Sequence, residues 1–269
     1  MSNIRFGPAG NDILFYEQGF KSSVQSPKWL RDMGLDAFEV CFGRGVRMSE
    51  ETARKIGEEA KKEKIEISAH APYYINLTNN EVFEKNYHYI STSLRVLSWL
   101  GGARLVMHLG WQGKHNREDA IKNVTENLKL VMKRLKEEGF KDFLLCIETM
   151  GKFSQIGNLE EIIDICKVDS KIIPCIDFGH INCLLQGKLD VQKVMVAVEH
   201  FKELHIHWSA IEFTSLGERR HTTLDDKRWA FPFEPLAKLL RKDKRKITVI
   251  CESLDIMAQD AKRLKKTFD

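Results

Sequence analysis

The 269-residue chain contains no apolar run of about 18 residues, the length a membrane-crossing helix requires. Its first dozen residues, Met1 to Asp12, lack a basic region followed by an apolar stretch, so no secretory leader is expected. No pair of its six cysteines has CxxC spacing. Cys41, Cys146, Cys175 and Cys251 lie inside apolar runs, whereas Cys166 and Cys183 do not. They read as reduced core cysteines of a cytoplasmic protein, since free cysteine packs as a small hydrophobe. The six prolines are scattered, and there is no low-complexity linker or repeat, so residues 1–269 read as one domain. Neither sign of charge dominates: 42 Lys and Arg against 38 Asp and Glu give +4. That balance permits a polyanionic partner without indicating one. With 43% hydrophobic and 30% charged residues, a disordered or fibrous chain is excluded.

What the chain does contain is alternation. Short apolar or β-branched runs occur at Ile4–Phe6, Ala37–Cys41, Ile65–His70, Leu105–His108, Leu144–Glu148, Ile172–Asp177, Leu204–His207 and Ile247–Glu252. Amphipathic stretches separate them, among them Ser49–Glu63, Glu81–Leu100, Arg117–Glu138, Val191–Phe201 and Asp255–Thr267. Ser49-Glu50-Glu51 carries a capping hydroxyl and acids for a helix start, and Gly139 marks a helix stop. Strands alternating with helices imply a parallel sheet with helices outside. Eight such units in this length predict an α/β fold, a single (β/α)₈ TIM barrel. An open doubly wound sheet would carry a GxGxxG turn after its first strand, and none is present.

The polar residues fall where such a barrel would converge them. His70 ends the third strand, His108 the fourth, Glu148 the fifth, Asp177 the sixth with His180 three residues on, and Glu252 the eighth. His205 and His207 share one face of the seventh strand. In a parallel barrel these carboxyl ends open onto one cleft. Imidazoles and carboxylates together suit Zn²⁺, Mn²⁺ or Fe²⁺. The donors outnumber the needs of one four-coordinate ion, so two or more metals are expected, with Glu148 placed to bridge two.

These residues resemble those of endonuclease IV, the zinc-dependent apurinic/apyrimidinic endonucleases of the xylose-isomerase-like barrels. The most specific stretch is His70-Ala71-Pro72-Tyr73-Tyr74-Ile75-Asn76-Leu77, similar to the family's His-x-x-Tyr-x-Ile-Asn-Leu run. Glu148-Thr149, Asp177-x-x-His180 and Glu252 match in order, and the opening Ile4-Arg5-Phe6-Gly7-Pro8-Ala9-Gly10 looks like that of archaeal and thermophilic members. The resemblance implies zinc, with manganese as an alternative. His70 and His108 would hold one ion and Glu148 would bridge to a second. Asp177, His205 and Glu252 would complete that second site, and His180 and His221 would belong to a third. The implied reaction is hydrolysis of the phosphodiester 5′ to an abasic site in double-stranded DNA, by a monomer with no membrane attachment, with Glu148 central to catalysis. Tyr73, Tyr74 and Arg44 or Arg47 would sit at the lesion.

The chain also departs from the family. In Glu218-Arg219-Arg220-His221, Arg219 stands where the family has Asp, which leaves a two-metal site intact and the third open. Arg219 is a further candidate for phosphate contact. The family's His-x-Asn-Asp becomes His205-Ile206-His207-Trp208. Two other functions compete. A metal-dependent sugar isomerase or epimerase of the same superfamily would need one metal and fewer histidines. A catalytically impaired protein would bind abasic DNA and leave it intact.

Overall fold

The computed structural model describes residues 3–269. In chain order the elements begin with β1 (Ile4–Pro8), α1 (Ile13–Glu17), α2 (Ser26–Asp32), β2 (Ala37–Cys41), α3 (Glu50–Glu63), β3 (Glu66–His70) and α4 (Phe83–Trp99). They continue with β4 (Arg104–Met107), α5 (Arg117–Glu137), β5 (Leu144–Glu148), α6 (Leu159–Ile165), β6 (Ile172–Asp177), α7 (Phe178–Leu184) and α8 (Val191–Ala197). The chain ends with β7 (Glu203–Trp208), β8 (Ala210–Thr214), β9 (Gly217–Thr222), α9 (Glu234–Leu240), β10 (Lys246–Cys251) and α10 (Met257–Phe268).

Local chemistry accounts for the boundaries. The Ser49 side chain accepts from Thr52 N at the start of α3, and Asn116 accepts from Asp119 N at the start of α5. At α6, Asn158 and Glu161 satisfy each other's backbone N–H in a capping box. Gly139 follows α5 with φ 83°, a left-handed conformation that glycine adopts without strain. β6 is buried along its whole length, which is why it reads as an unbroken apolar run rather than an alternating one.

Eight parallel strands form one sheet in the order β1-β10-β7-β6-β5-β4-β3-β2. The edges β1 and β2 then meet: Asp36 N donates to Phe6 O at 3.0 Å and Gly10 N to Glu39 O at 2.8 Å. Gly7 permits this approach, because a Cβ there would lie 1.8 Å from Ala37 O. The result is a nearly closed TIM barrel with alternating helices outside, as the alternation predicts. The hairpin β8–β9 stands outside the barrel sheet, and the sequence reading did not anticipate it. Its second strand, Gly-Glu-Arg-Arg-His-Thr, has almost no apolar residues to reveal a period of two. Among the described residues no helix is long and apolar enough to cross a membrane.

The two ends of the barrel differ in chemistry. At the amino ends of the strands, Arg104 is buried and donates to Glu66 (3.1 Å), Glu203 (2.6 Å) and Thr248. The basic segment from Arg241 to Lys246 also lies here. Arg241 donates to the carbonyls of Phe268 and Thr267, and Arg245 pairs with Asp243 at 2.6 Å. These cations are engaged at the end opposite the histidines. Arg104→Met should leave the Glu66 carboxylate without its buried partner and lower unfolding free energy by about 3 kcal/mol in urea titrations. A variant as stable as the wild type would show that Arg104 contributes nothing net.

Candidate metal centre

The opposite rim collects the polar strand ends. His70, Glu148 and Asp177 are the last residues of β3, β5 and β6, while His108 and Glu252 lie one residue beyond β4 and β10. With His180, Glu218 and His221 they surround a cleft of about 420 Å³, which Asp177 does not itself line. Glu148 sits at the centre, and its two oxygens divide the site. Oε2 lies 3.1 Å from His70 Nε2 and 2.9 Å from His108 Nε2. Oε1 lies 3.1 Å from His207 Nδ1 and 3.4 Å from His180 Nδ1.

Three donor groups adjoin along the cleft. They are His70-His108-Glu148, then Glu148-Asp177-His207-Glu252, then His180-Glu218-His221. Within each, the ligand atoms lie no more than 4.8 Å apart. The fit to divalent cations rests on the donors themselves. Asp177 Oδ1 caps α7 by accepting from His180 N at 2.7 Å, yet its Oδ2 is buried without a hydrogen-bond partner. A buried carboxylate oxygen without a partner is costly unless a cation completes it.

Main-chain carbonyls orient several of the imidazoles. His70 Nδ1 lies 2.8 Å from Ala71 O, His180 Nδ1 2.9 Å from Thr149 O, and His221 Nδ1 2.9 Å from Glu252 O. A carbonyl only accepts, so each Nδ1 carries the proton and Nε2 is left for the cleft. Charge is concentrated to match. Burial pushes the Glu148 pKa up, but His108 and His207 outweigh it and hold the carboxyl well below its ordinary range. Burial likewise opposes ionisation of Glu252, and His207 brings it down to about 2. For His70, burial favours the neutral ring, but Glu148 wins and raises it to about 9. Asp177 moves the other way, raised by burial.

The structure departs from the sequence expectations at three positions. His205 was expected in the second group. It lies deeper, fully buried, with Nε2 2.9 Å from Glu39, and His207 takes the expected place beside Asp177 and Glu252. Both point inward, as their spacing implies, but only the one nearer the carboxyl end reaches the carboxylates of Glu148 and Glu252. Arg219, standing where the family has Asp, left the third group open. It points away, with Glu218 filling the gap: Glu218 Oε2 is 3.5 Å from His180 Nε2 and Oε1 is 4.0 Å from His221 Nε2. Cys41, expected in the core, is exposed and lines the cleft.

A β-bulge explains the second departure. In the hairpin, Glu212 pairs with Arg220 but Phe213 pairs with Glu218, so Arg219 is the extra residue. Without it, Glu218 and His221, three apart, would face opposite sides of the strand. With it they share the inner face, while Arg219 and Arg220 both turn outward onto Glu212 at 2.6 and 2.7 Å. Gly151 makes room for the arrangement, since a Cβ there would lie 2.7 Å from His180 Cδ2 and 2.8 Å from Glu218 Cβ.

The remaining candidates lie at the rim or outside it. Tyr73 and Tyr74 are exposed with hydroxyls 3.1 Å apart, and Arg44 also reaches the Tyr73 hydroxyl. Arg47 is exposed on the same loop, from which Gly43 lines the cleft. Trp111 is half exposed at the rim, whereas Trp208 is fully buried against Phe178, Phe231 and Phe233. Glu39 is the residue sequence reasoning missed. Its signal was present, as a lone charge inside the apolar strand Ala-Phe-Glu-Val-Cys.

Two measurements test this geometry. Glu212→Ala should free the bulged arginines and weaken uptake of the ion nearest Glu218 by about tenfold, the scale for losing a supporting partner. Equal zinc affinity in variant and wild type would detach Glu212 from the site. Because Glu148 keeps His70 protonated up to about pH 9, zinc uptake near neutral pH must expel that proton. Affinity should therefore rise as pH climbs from neutrality towards 9 and flatten above it. Calorimetry in buffers of different ionisation enthalpy would reveal the released proton, and buffer-independent heats would contradict it.

Comparison with known proteins agrees with the architecture. A family profile described as xylose isomerase-like TIM barrel matches residues 27–267. The chain is 34% identical to the Uncharacterized protein MJ0133 of Methanocaldococcus jannaschii, over 98% of this chain and 96% of that one. It is 33% identical to a probable endonuclease 4 of Metamycoplasma arthritidis, but over only 43% of this chain and 42% of the relative. Among solved structures, endonuclease IV from Thermus thermophilus superposes with a TM-score of 0.69 at 20% identity, covering 98% and 97% of the two chains. A D-psicose 3-epimerase superposes with a TM-score of 0.71 at 14% identity, covering 97% of each. The fold is thus common to endonucleases and sugar epimerases, and the chain belongs to the xylose isomerase-like TIM barrel family.

Proposed function

We propose that the protein is a metal-dependent phosphodiesterase that cuts DNA at abasic sites. The observation that carries this reading is the adjacency of three donor groups, with the two oxygens of Glu148 turned to different halves of the cleft. A sugar epimerase would be served by the single group Glu148-Asp177-His207-Glu252. The pair His70-His108 and the hairpin group His180-Glu218-His221 would then have no task.

In this reading His70, His108 and Glu148 hold one cation, and Asp177, His207 and Glu252 join Glu148 around a second. His180, Glu218 and His221 hold a third. Bound there, such cations supply Lewis acidity at a phosphate and lower the pKa of water, with zinc the best match to the donors and manganese an alternative.

The residues supply position and charge. The carboxylates of Glu148, Asp177, Glu218 and Glu252 would gather cations, and those cations would in turn attract a phosphodiester. Lys152 at the wall adds attraction for phosphate. Tyr73, Tyr74 and Trp111 offer exposed ring faces at the rim, where bases flanking a gap could stack. An abasic nucleotide is cheap to extrude because it has no base to unpair.

Protein of quantified metal content should incise a duplex bearing one abasic-site analogue on its 5′ side, and chelation should abolish both incision and tight binding. Glu218→Ala should lower the saturating metal count by one and cut incision more than about 100-fold, beyond the usual effect of merely supporting residues. Fully loaded protein that binds abasic DNA without cutting it would favour the impaired-binder reading. Loaded protein inert towards DNA but active on a ketose panel would replace the proposal with the epimerase.

A further inference from the structure

The imidazole of His207 is mounted the opposite way from its neighbours. His70, His180 and His221 each turn Nδ1 to a main-chain carbonyl and leave Nε2 for the cleft. His207 turns Nδ1 to the cleft, 3.1 Å from Glu148 Oε1 and 3.4 Å from Glu252 Oε2. Its Nε2 points down into the barrel, where no carbonyl receives it. It lies 3.0 Å from Glu39 Oε1, a charge contact short of an aligned hydrogen bond, and neither atom has a hydrogen-bond partner.

Glu39 is itself held from two further directions. It lies on β2, fully buried, and its Oε2 accepts from the Ser68 hydroxyl on β3 at 2.8 Å. His205 Nε2, from β7 across the barrel, lies 2.9 Å from the same oxygen. Both groups donate to Oε2, so Oε1 is aimed at His207 alone. Burying a carboxylate is costly unless donors surround it; here two donors satisfy Oε2, and Oε1 has the His207 ring as its close polar neighbour. Nothing in the packing of a barrel interior calls for this group, because aliphatic side chains fill the layer just as well.

We propose that Glu39 is a positioning residue of the metal centre, fixing His207 as the Nε2–H tautomer so that Nδ1 presents its lone pair to the cation. The inference rests on the reading of His207 as a metal ligand. A carboxylate can only accept, so once Nδ1 gives its lone pair to a cation in place of a proton to Glu148, the ring's one proton sits on Nε2, facing Glu39. With the proton on Nδ1 instead, a lone pair would face Glu39 and no lone pair would face the ion. Glu39 thus does for His207 what carbonyls do for the other three histidines, and its full charge makes the imidazole a stronger donor to the metal.

The test uses the full chain and Zn²⁺ alone. Glu39→Gln keeps the shape. Its single oxygen best serves the two donors Ser68 and His205, which turns the amide NH₂ onto His207 Nε2. That nitrogen must then accept, the proton moves to Nδ1, and the lone pair facing the cleft is lost. In chelator competition Glu39→Gln should bind one zinc about 10- to 100-fold more weakly and the others as the wild type does. Ser68→Ala removes another partner of Glu39 but leaves the His207 contact, and should retain wild-type affinity. Long-range proton–nitrogen spectra of histidine-labelled wild type should show His207 protonated at Nε2 in the zinc-loaded form, a readout that holds even if Glu39→Gln fails to fold.

Unaltered zinc affinity in Glu39→Gln, equal losses in Glu39→Gln and Ser68→Ala, or an Nδ1-protonated His207 would each overturn the role of Glu39. So would an additional zinc lost together with Glu39 and with Cys175→Ser, because Cys175, His205 and His207 also lie within ligand distance of one another. A wild-type protein that takes up no zinc would bring down the metal reading itself, whereas zinc-binding wild type with an indifferent Glu39→Gln would bring down only this inference.

Discussion

All eight barrel strands run in the same direction, and the chemistry of the rim depends on that constraint. Parallel pairing places every carboxyl end on one face, so residues from β3, β5, β6 and β7 and from just beyond β4 and β10 meet around one cleft. The seam between β1 and β2 maintains it, where Gly7 lets the edges touch. An antiparallel sheet of the same sequence segments would scatter these side chains over two opposite ends.

Crowding four carboxylates and several imidazoles into one cleft is electrostatically expensive. The shifted acidities of Glu148, His70 and Glu252 express that tension. Protons on the histidines balance the carboxylates, and a divalent ion would take over that task. The amino end of the barrel solves a related problem with fixed charges, setting buried Arg104 among Glu66, Glu203 and Thr248. One end is therefore a permanent ion-pair network and the other a set of acceptors suited to exchangeable cations.

Support beneath and beside the cleft matters as much as the donors. From below, Glu39 ties β2, β3 and β7 together through Ser68, His205 and His207. From the side, the β8–β9 hairpin delivers Glu218 and His221 because one extra residue is bulged onto Glu212. Both devices use charged groups whose partners lie far away in sequence or on the other strand of a hairpin.

The sequence by itself determined the barrel and the rim. Eight apolar runs separated by amphipathic stretches dictate alternating strands and helices, and polar residues closing those runs mark the cleft, so His70, His108, Glu148, Asp177 and Glu252 were legible from pattern alone. Tertiary structure decided which of two inward-facing histidines reaches the carboxylates of Glu148 and Glu252. His205 and His207 share a strand face, and only depth along the barrel axis separates them. It also decided that Glu218 replaces Arg219, because a bulge resets side-chain alternation without leaving a trace in hydrophobic period. It gave Glu39 its place as well: a charge in mid-strand is visible in sequence, but its partners on β3 and β7 come within hydrogen-bonding range only when the sheet curls into a barrel.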